Sequence, residues 1–174
     1  PDYNPEYNFT DFWPSMVTGP SAGLQIRSGA KKGRLFISSY HTVGSTAIPY
    51  SNSYANGFYS DDHGDTWQLS PSIDMPYGNE STVAQLADGS ILENFRYQVQ
   101  KDFSNQPIET KYRALCLSTD GGNSWGDAYL NNDLPTPVCH GSMIDVEYLC
   151  NHYLLFSHPN NQERRINMTI FASA

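Results

Sequence analysis

The sequence predicts an all-β protein assembled from repeated sheet units, and three observations predict it. Of the 174 residues, 24 are Gly or Pro and 12 are Tyr, while only 16% are charged, a balance that favours strands and tight turns over helices. The octapeptides SDDHGDTW (60–67) and STDGGNSW (118–125) both read S-x-D-x-G-x-[ST]-W. Between them lie short alternating stretches of strand character.

The repeat explains the architecture. Its copies are 58 residues apart, enough for one four-stranded propeller blade with its loops and a little above the roughly 40 to 50 residues of common propeller repeats. Ser173 follows Ser118 by 55 residues, so a third copy is expected to begin at 173–174, within a repeat. Each octapeptide suits a hairpin turn. Asp62 or Asp120 can accept backbone N–H groups ahead of it as an Asx-turn, Gly64 or Gly122 supplies a positive φ, and Trp67 or Trp125 returns into the sheet as an anchor.

The elements follow in order. Strands are expected at 33–40 (GRLFISSY), 81–86 (STVAQL), 90–96 (SILENFR), 112–118 (YRALCLS) and 152–158 (HYLLFSH). The D-G turn ADGS (87–90) folds the second of these against the third. That pairing brings Glu80 and Arg96 to one end of a single hairpin, near enough to serve one pocket. The basic AKKGR segment, with Lys31, Lys32 and Arg34, reads as a solvated turn.

Composition also excludes several functions. A formal charge of −8 disfavours nucleic acid and anionic membrane surfaces. No apolar run approaches the roughly 18 residues of a membrane span, and the first ten residues are too polar for a signal peptide. Cys116, Cys139 and Cys150 lack C-x-x-C spacing and allow one bridge at most, so neither a zinc site nor a disulfide framework is indicated. Asp61, Asp62, His63 and Asp65 crowd one turn, but the order of a calcium loop is absent and the second copy keeps one carboxylate, so no metal is expected. No cofactor is indicated. N-x-S/T tripeptides at Asn8, Asn79 and Asn167 point weakly to a secretory or lysosomal location.

The duplicated octapeptide resembles the Asp-box, and with it the chain resembles the sialidases, exo-acting neuraminidases built as six-bladed β-propellers. Asp-boxes also occur in non-enzymatic propellers. Further likeness lies in NESTVAQLADGSILENFR (79–96), similar to the family's glutamate-to-arginine hairpin, in VCHGSMI (138–144), similar to its small-residue strand, and in FSHPNNQERRINMTI (156–170), similar to its F-S-x-P…R-x-N-x-T segment. GPSAGLQI…GRLFISSY (19–40) resembles its glycine-rich approach to the central blades.

The resemblance implies that residues 1–174 form part of one propeller domain, about three of six four-stranded blades. It implies that Glu80 pairs with a tyrosine nucleophile and that Arg96 and Arg165 are two of three arginines that clamp a sialic acid carboxylate. Arg165 fits better than Arg164 because Arg165-Ile166-Asn167 preserves R-x-N. The family's first clamp arginine and its acid/base aspartate are expected before residue 1, and its tyrosine beyond Ala174. Additional blades or chains would then complete the ring.

The residue types suit that chemistry. A sialoside carries a carboxylate at the anomeric carbon, which would repel an Asp or Glu nucleophile; sialidases use tyrosine instead. A phenol with a reference pKa near 10 needs a base beside it, a role for Glu80. Guanidinium forks bind carboxylates bidentately, which lysine cannot do. By residue class alone, Glu80 reads as a turn residue and Arg96 as a surface ion-pair partner; their occurrence with Arg165 and two Asp-boxes favours the sialidase reading. His140, where the family often has glutamine, and His158 read as packed or hydrogen-bonded loop histidines, and Cys139 as a buried thiol. The implied substrates are sialylated glycans. A propeller that binds sialoglycans or proteins without cleaving them, and a trans-sialidase, are the alternatives.

Overall fold

The computed structural model describes Trp13 and residues 15–43, 53–99 and 111–173. Asn8 and Ala174 lie outside the described residues. Twelve strands, and no helix among the described residues, form three antiparallel sheets. The first holds β1 (Ser15–Thr18), β2 (Leu24–Gln25), β3 (Leu35–Thr42), β4 (Ser53–Ser60) and β5 (Gln68–Leu69). The second runs β6 (Gly78–Gln85), β7 (Ile91–Tyr97), β8 (Tyr112–Ser118) and β9 (Tyr129–Pro135), hydrogen-bonded in chain order. The third is β10 (Ser142–Tyr148), β11 (Asn151–Pro159) and β12 (Met168–Ser173).

This is part of a β-propeller. Each sheet is a meander, and the first strand of the second sheet, β6, packs against β3 and β4 on one side and β10 on the other. Four strands per sheet is the sequence expectation, and the described residues of the first sheet depart from it because β1 and β2 are two pieces that both pair with β3. GPSAG separates them. The Gly19 amide donates to the Ser38 carbonyl at 2.7 Å, and a Cβ on Gly19 would sit 2.5 Å from the Ser81 carbonyl, so only glycine permits this approach of two sheets.

Stacked sheets bury both faces of their strands, and the core is therefore distributed between sheets. Val83 and Ile91 of the second sheet meet Leu24, Ile26 and Phe36 of the first, while Ala84 meets Met143 and Phe156 of the third. Phe95, Ala114 and Cys116 pack with Ala55 and Ile73. At about 25 cal/mol per Å² of apolar surface, burial of this kind is the main favourable contribution to the sheet stack.

The duplicated turns end equivalent strands. Ser60 closes β4, Ser118 closes β8, and Ser173 occupies the same place at the end of β12. In each described turn the serine hydroxyl donates to the aspartate and accepts the glycine amide (Gly64 or Gly122, both 2.8 Å). The aspartate accepts the backbone amide and hydroxyl of Thr66 or Ser124. Those bonds draw Asp62 down to about 2, and Gly64 (φ 98°) and Gly122 (φ 89°) take the left-handed conformation expected of them. Replacing Ser118 with alanine leaves the buried Gly122 amide without its acceptor and is expected to cost about 1–2 kcal/mol, read as a lower urea midpoint at unchanged slope.

Two expectations about these turns need correction. Trp125 packs between the two inter-sheet clusters and donates to Ser70 Oγ at 2.9 Å, but Trp67 is 41% exposed and bonds back to the Gly64 carbonyl of its own turn. Arg34 is not solvated. It is 2% exposed, its fork grips both Asp61 carboxylate oxygens at 2.7 Å, and Nη1 reaches the Gly121 carbonyl and Asn123. The guanidinium joins the first octapeptide turn to the second, and no local pattern in AKKGR foretells a partner 87 residues away.

Candidate active site

The hairpin β6–β7 sets the geometry of the site. Its turn forms at Ala87–Gly89, with Gly89 at φ 90° and Asp88 accepting the Ser90 amide. At the other end the register slips: Gly78 pairs with Tyr97 but Ser81 pairs with Phe95. Asn79 and Glu80 thus stand opposite the single residue Arg96, a β-bulge that bends the strand and re-aims one side chain. The Asn79 carboxamide accepts the Glu80 amide at 2.9 Å, taking up a donor that the ladder has released.

The bulge brings Glu80 to Arg96. Arg96 Nη1 donates to Glu80 Oε2 at 2.9 Å, with both side chains partly exposed. Gly78 sits at the base of this arrangement, where a Cβ would lie 2.8 Å from the Ala55 amide nitrogen. Asn79 is itself buried, so its N-x-S tripeptide is closed to modification in the fold, whereas Asn167 is exposed.

A second arginine faces the first. Arg113 of β8 is the register partner of Arg96 and is fully buried. It donates from Nε to Asn94 Oδ1 at 2.7 Å, from Nη2 to the Asn94 carbonyl at 3.1 Å and from Nη1 to the Cys139 carbonyl at 2.7 Å. Cys139 is buried, as expected, and all three cysteines are free. The next residue, His140, bonds Ser21 Oγ through Nε2 at 3.1 Å, linking the first sheet to the loop that enters β10. Burial pushes the His140 imidazole below its ordinary value, helped by Arg113 and Arg96 and opposed by Glu80.

Arg165 is exposed in the 160–167 segment between β11 and β12. No hydrogen bond or ion pair joins it to Glu80 or Arg96 among the described residues; two residues before it, Glu163 pairs with Lys111, which precedes β8. Arg164 is exposed too, and its backbone is fixed in the turn, its amide donating to Asn161 Oδ1 at 2.7 Å and its carbonyl accepting the Ile166 amide at 2.8 Å. His158 is packed, as expected, fully buried and stacked on Phe171 at 5.1 Å, but it sits within β11, the strand expected at 152–158, and not in a loop. Tyr97 follows Arg96 but packs on the opposite face, among Phe95 and its neighbours. Burial and Tyr77 push its phenol up, the wrong direction for a nucleophile.

Sequence reasoning named Glu80, Arg96 and Arg165; the structure brings the first two together and shows no bond from Arg165 to either among the described residues, and it adds Arg113, Asn94 and the Ser21–His140 bridge, which sequence reasoning did not name. One signal for Arg113 was available: a charge inside YRALCLS, where both alternating faces are otherwise apolar. No helix among the described residues is long and apolar enough to cross a membrane.

No family model matches the chain. It is 33% identical over 132 residues to a sialidase of Micromonospora viridifaciens, covering 76% of this chain and 18% of that protein. It is 26% identical to Sialidase-3 of Rattus norvegicus, covering 91% of this chain and 46% of the relative. Among solved structures, the intramolecular trans-sialidase from Ruminococcus gnavus superposes with a TM-score of 0.73 at 25% identity, over 92% of this chain and 30% of that one. The chain therefore spans less than half the length of these relatives. A stack of antiparallel meanders closed by repeated turns, matched over most of its length by sialidases in both sequence and structure, places it plainly: the chain belongs to the sialidase family.

Proposed function

We propose that this chain supplies the glutamate and two of the clamp arginines of an exo-α-sialidase, which releases terminal α-linked sialic acid from glycoproteins, glycolipids or oligosaccharides with retention. The observation that carries the reading is the Glu80–Arg96 pair at the β-bulge. Two arginines, Arg96 and Arg113, face a single carboxylate there, so the pocket holds unmatched positive charge although the chain as a whole is at −8. An anionic substrate balances it.

In this mechanism Arg96 and Arg165 bind the substrate carboxylate. Glu80 takes the proton from a tyrosine supplied outside residues 1–174, whose oxygen attacks the anomeric carbon; the glycosyl–tyrosine bond forms as the glycosidic bond breaks. Water then cleaves that intermediate, and two inversions give net retention. An acid/base aspartate, also outside this segment, protonates the leaving oxygen and later activates the water.

The test is to incubate the full-length protein with an α-sialoside and follow the first-formed sialic acid by proton NMR. The α anomer is expected before mutarotation; the β anomer would contradict retention, and no release would sink the assignment. Similarity to a solved trans-sialidase favours one second reading, transfer to an acceptor other than water. Adding lactose reveals transfer to a second sugar by product, and a cyclised sialic acid formed without any added acceptor marks intramolecular transfer, the kind named for that relative.

A further inference from the structure

Arg113 poses an energetic question. It is completely buried, yet its hydrogen bonds end on neutral acceptors, the Asn94 carboxamide and carbonyl and the Cys139 carbonyl. Its guanidinium also stands 5.5 Å from the centre of the Phe156 ring. Burying a cation without a hydrogen-bonded counter-ion is costly, and setting it directly opposite Arg96 adds like-charge repulsion. A neutral donor would suffice to tie Asn94 to Cys139. The charge itself is what remains to be explained, and the groups that feel it are Cys139, Glu80, Arg96, His140 and His158.

We propose that Arg113 is a positioning residue for the Glu80–Arg96 pocket, holding the loop that carries His140 to Ser21 and imposing a fixed positive field behind Arg96. The inference rests on the sialidase reading for the identity of the anion but not for the geometry. Two links fix the loop: Arg113 to the Cys139 carbonyl, and His140 to Ser21. Gly141 completes them, since a Cβ there would lie 2.4 Å from the Phe156 ring. The loop thus has little freedom to relax around a change at Arg113.

The field has a readable consequence. Burial brings Arg113 down to about 9, which leaves it charged at neutral pH. The charged groups acting on His140 are Glu80 from β6, Arg96 from β7 and Arg113 from β8; Ser21 from the first sheet is neutral. Two cations against one carboxylate, added to burial, keep the imidazole neutral near pH 7. His140 therefore stays an uncharged member of the wall and does not compete with the arginines for an anion.

The experiment uses the full-length protein with Arg113→Met and Arg113→Lys, following His140 by imidazole NMR and sialoside turnover as kcat and KM against pH. His140→Gln assigns the resonance. Arg113→Met should move the His140 pKa up and lower kcat/KM by roughly ten-fold, about the size of one charged hydrogen bond lost, mainly through KM. Arg113→Lys should keep the His140 pKa low because the charge remains. A folded Arg113→Met protein with unchanged His140 pKa and kcat/KM within two-fold overturns the proposal. If Arg113→Met does not fold, Arg113→Gln, which keeps a donor toward the Cys139 carbonyl without the charge, takes its place: an unchanged His140 pKa overturns the proposal, as does a wild-type His140 pKa at or above 6.5. Absence of sialoside turnover in the wild type would refute the sialidase reading and leave the NMR measurement to judge Arg113.

Discussion

Arg96→Lys is expected to lower kcat/KM for an α-sialoside by roughly two to three orders of magnitude, the cost of losing a preorganised charged donor from a transition state. Lysine keeps the charge but not the planar fork, so it can neither bind a carboxylate bidentately nor hold Glu80 with the same geometry. Stability should barely change, because the Glu80–Arg96 pair is partly exposed at 29% and 18% and such pairs contribute little. That contrast makes the variant informative: activity falls while the urea midpoint stays near the wild-type value. Glu80→Gln should instead reduce kcat with KM nearly kept, since its proposed role is toward the nucleophile and not the carboxylate. Wild-type kcat/KM in Arg96→Lys would remove Arg96 from the clamp.

How much of this was legible in the sequence depends on the range of the interactions. The octapeptide turns were readable because their hydrogen bonds close within four residues, Ser60 to Gly64 and Asp62 to Thr66. Tyr112–Ser118 forms the strand its alternation suggests, and β7 differs by one residue at each end from the expected 90–96. SYANGFYS of β4 and YLNNDLP of β9 escaped notice because their composition is polar and aromatic without a clean period. Much of β4 is buried on both faces, which leaves no solvent face to impose alternation, whereas β9 is an edge strand of its sheet, exposed or half-buried throughout. The hairpin turn placed Glu80 near Arg96, but the bulge that aims them at each other is a mismatch between two strands and has no local signature. Arg34 and Arg113 were misjudged or missed for one reason. An arginine looks like surface until the partner sheet is known.

Glu93→Gln is expected to raise stability, and to raise it more at pH 8 than at pH 5. Glu93 lies on the face of β7 that carries Ile91 and Phe95, all three fully buried. The Ser81 and Ser38 hydroxyls approach its carboxyl and oppose the shift, but neither carboxyl oxygen has an aligned hydrogen-bond partner among the described residues. Burial therefore dominates and pushes the group from 4.5 up to about 8. The sign follows from proton counts. Between pH 4.5 and about 8 the folded state holds this proton and the unfolded state does not, so stability falls as pH rises through that window and is level above it. One group contributes roughly 1.4 kcal/mol per pH unit, on the order of several kcal/mol across the window. Asp61, Asp62, Asp88 and Asp120 are shifted down from 3.8 and act with the opposite sign. Their contribution is present above 3.8 and is lost as pH falls through their lowered values, so the two effects occupy separate ranges. Glutamine keeps the shape and cannot ionise. Thermal unfolding of both proteins at pH 5, 6.5 and 8 should show a Tm difference that widens with pH; a constant difference would mean that Glu93 is already ionised in the fold and that the contact between the first two sheets tolerates its charge.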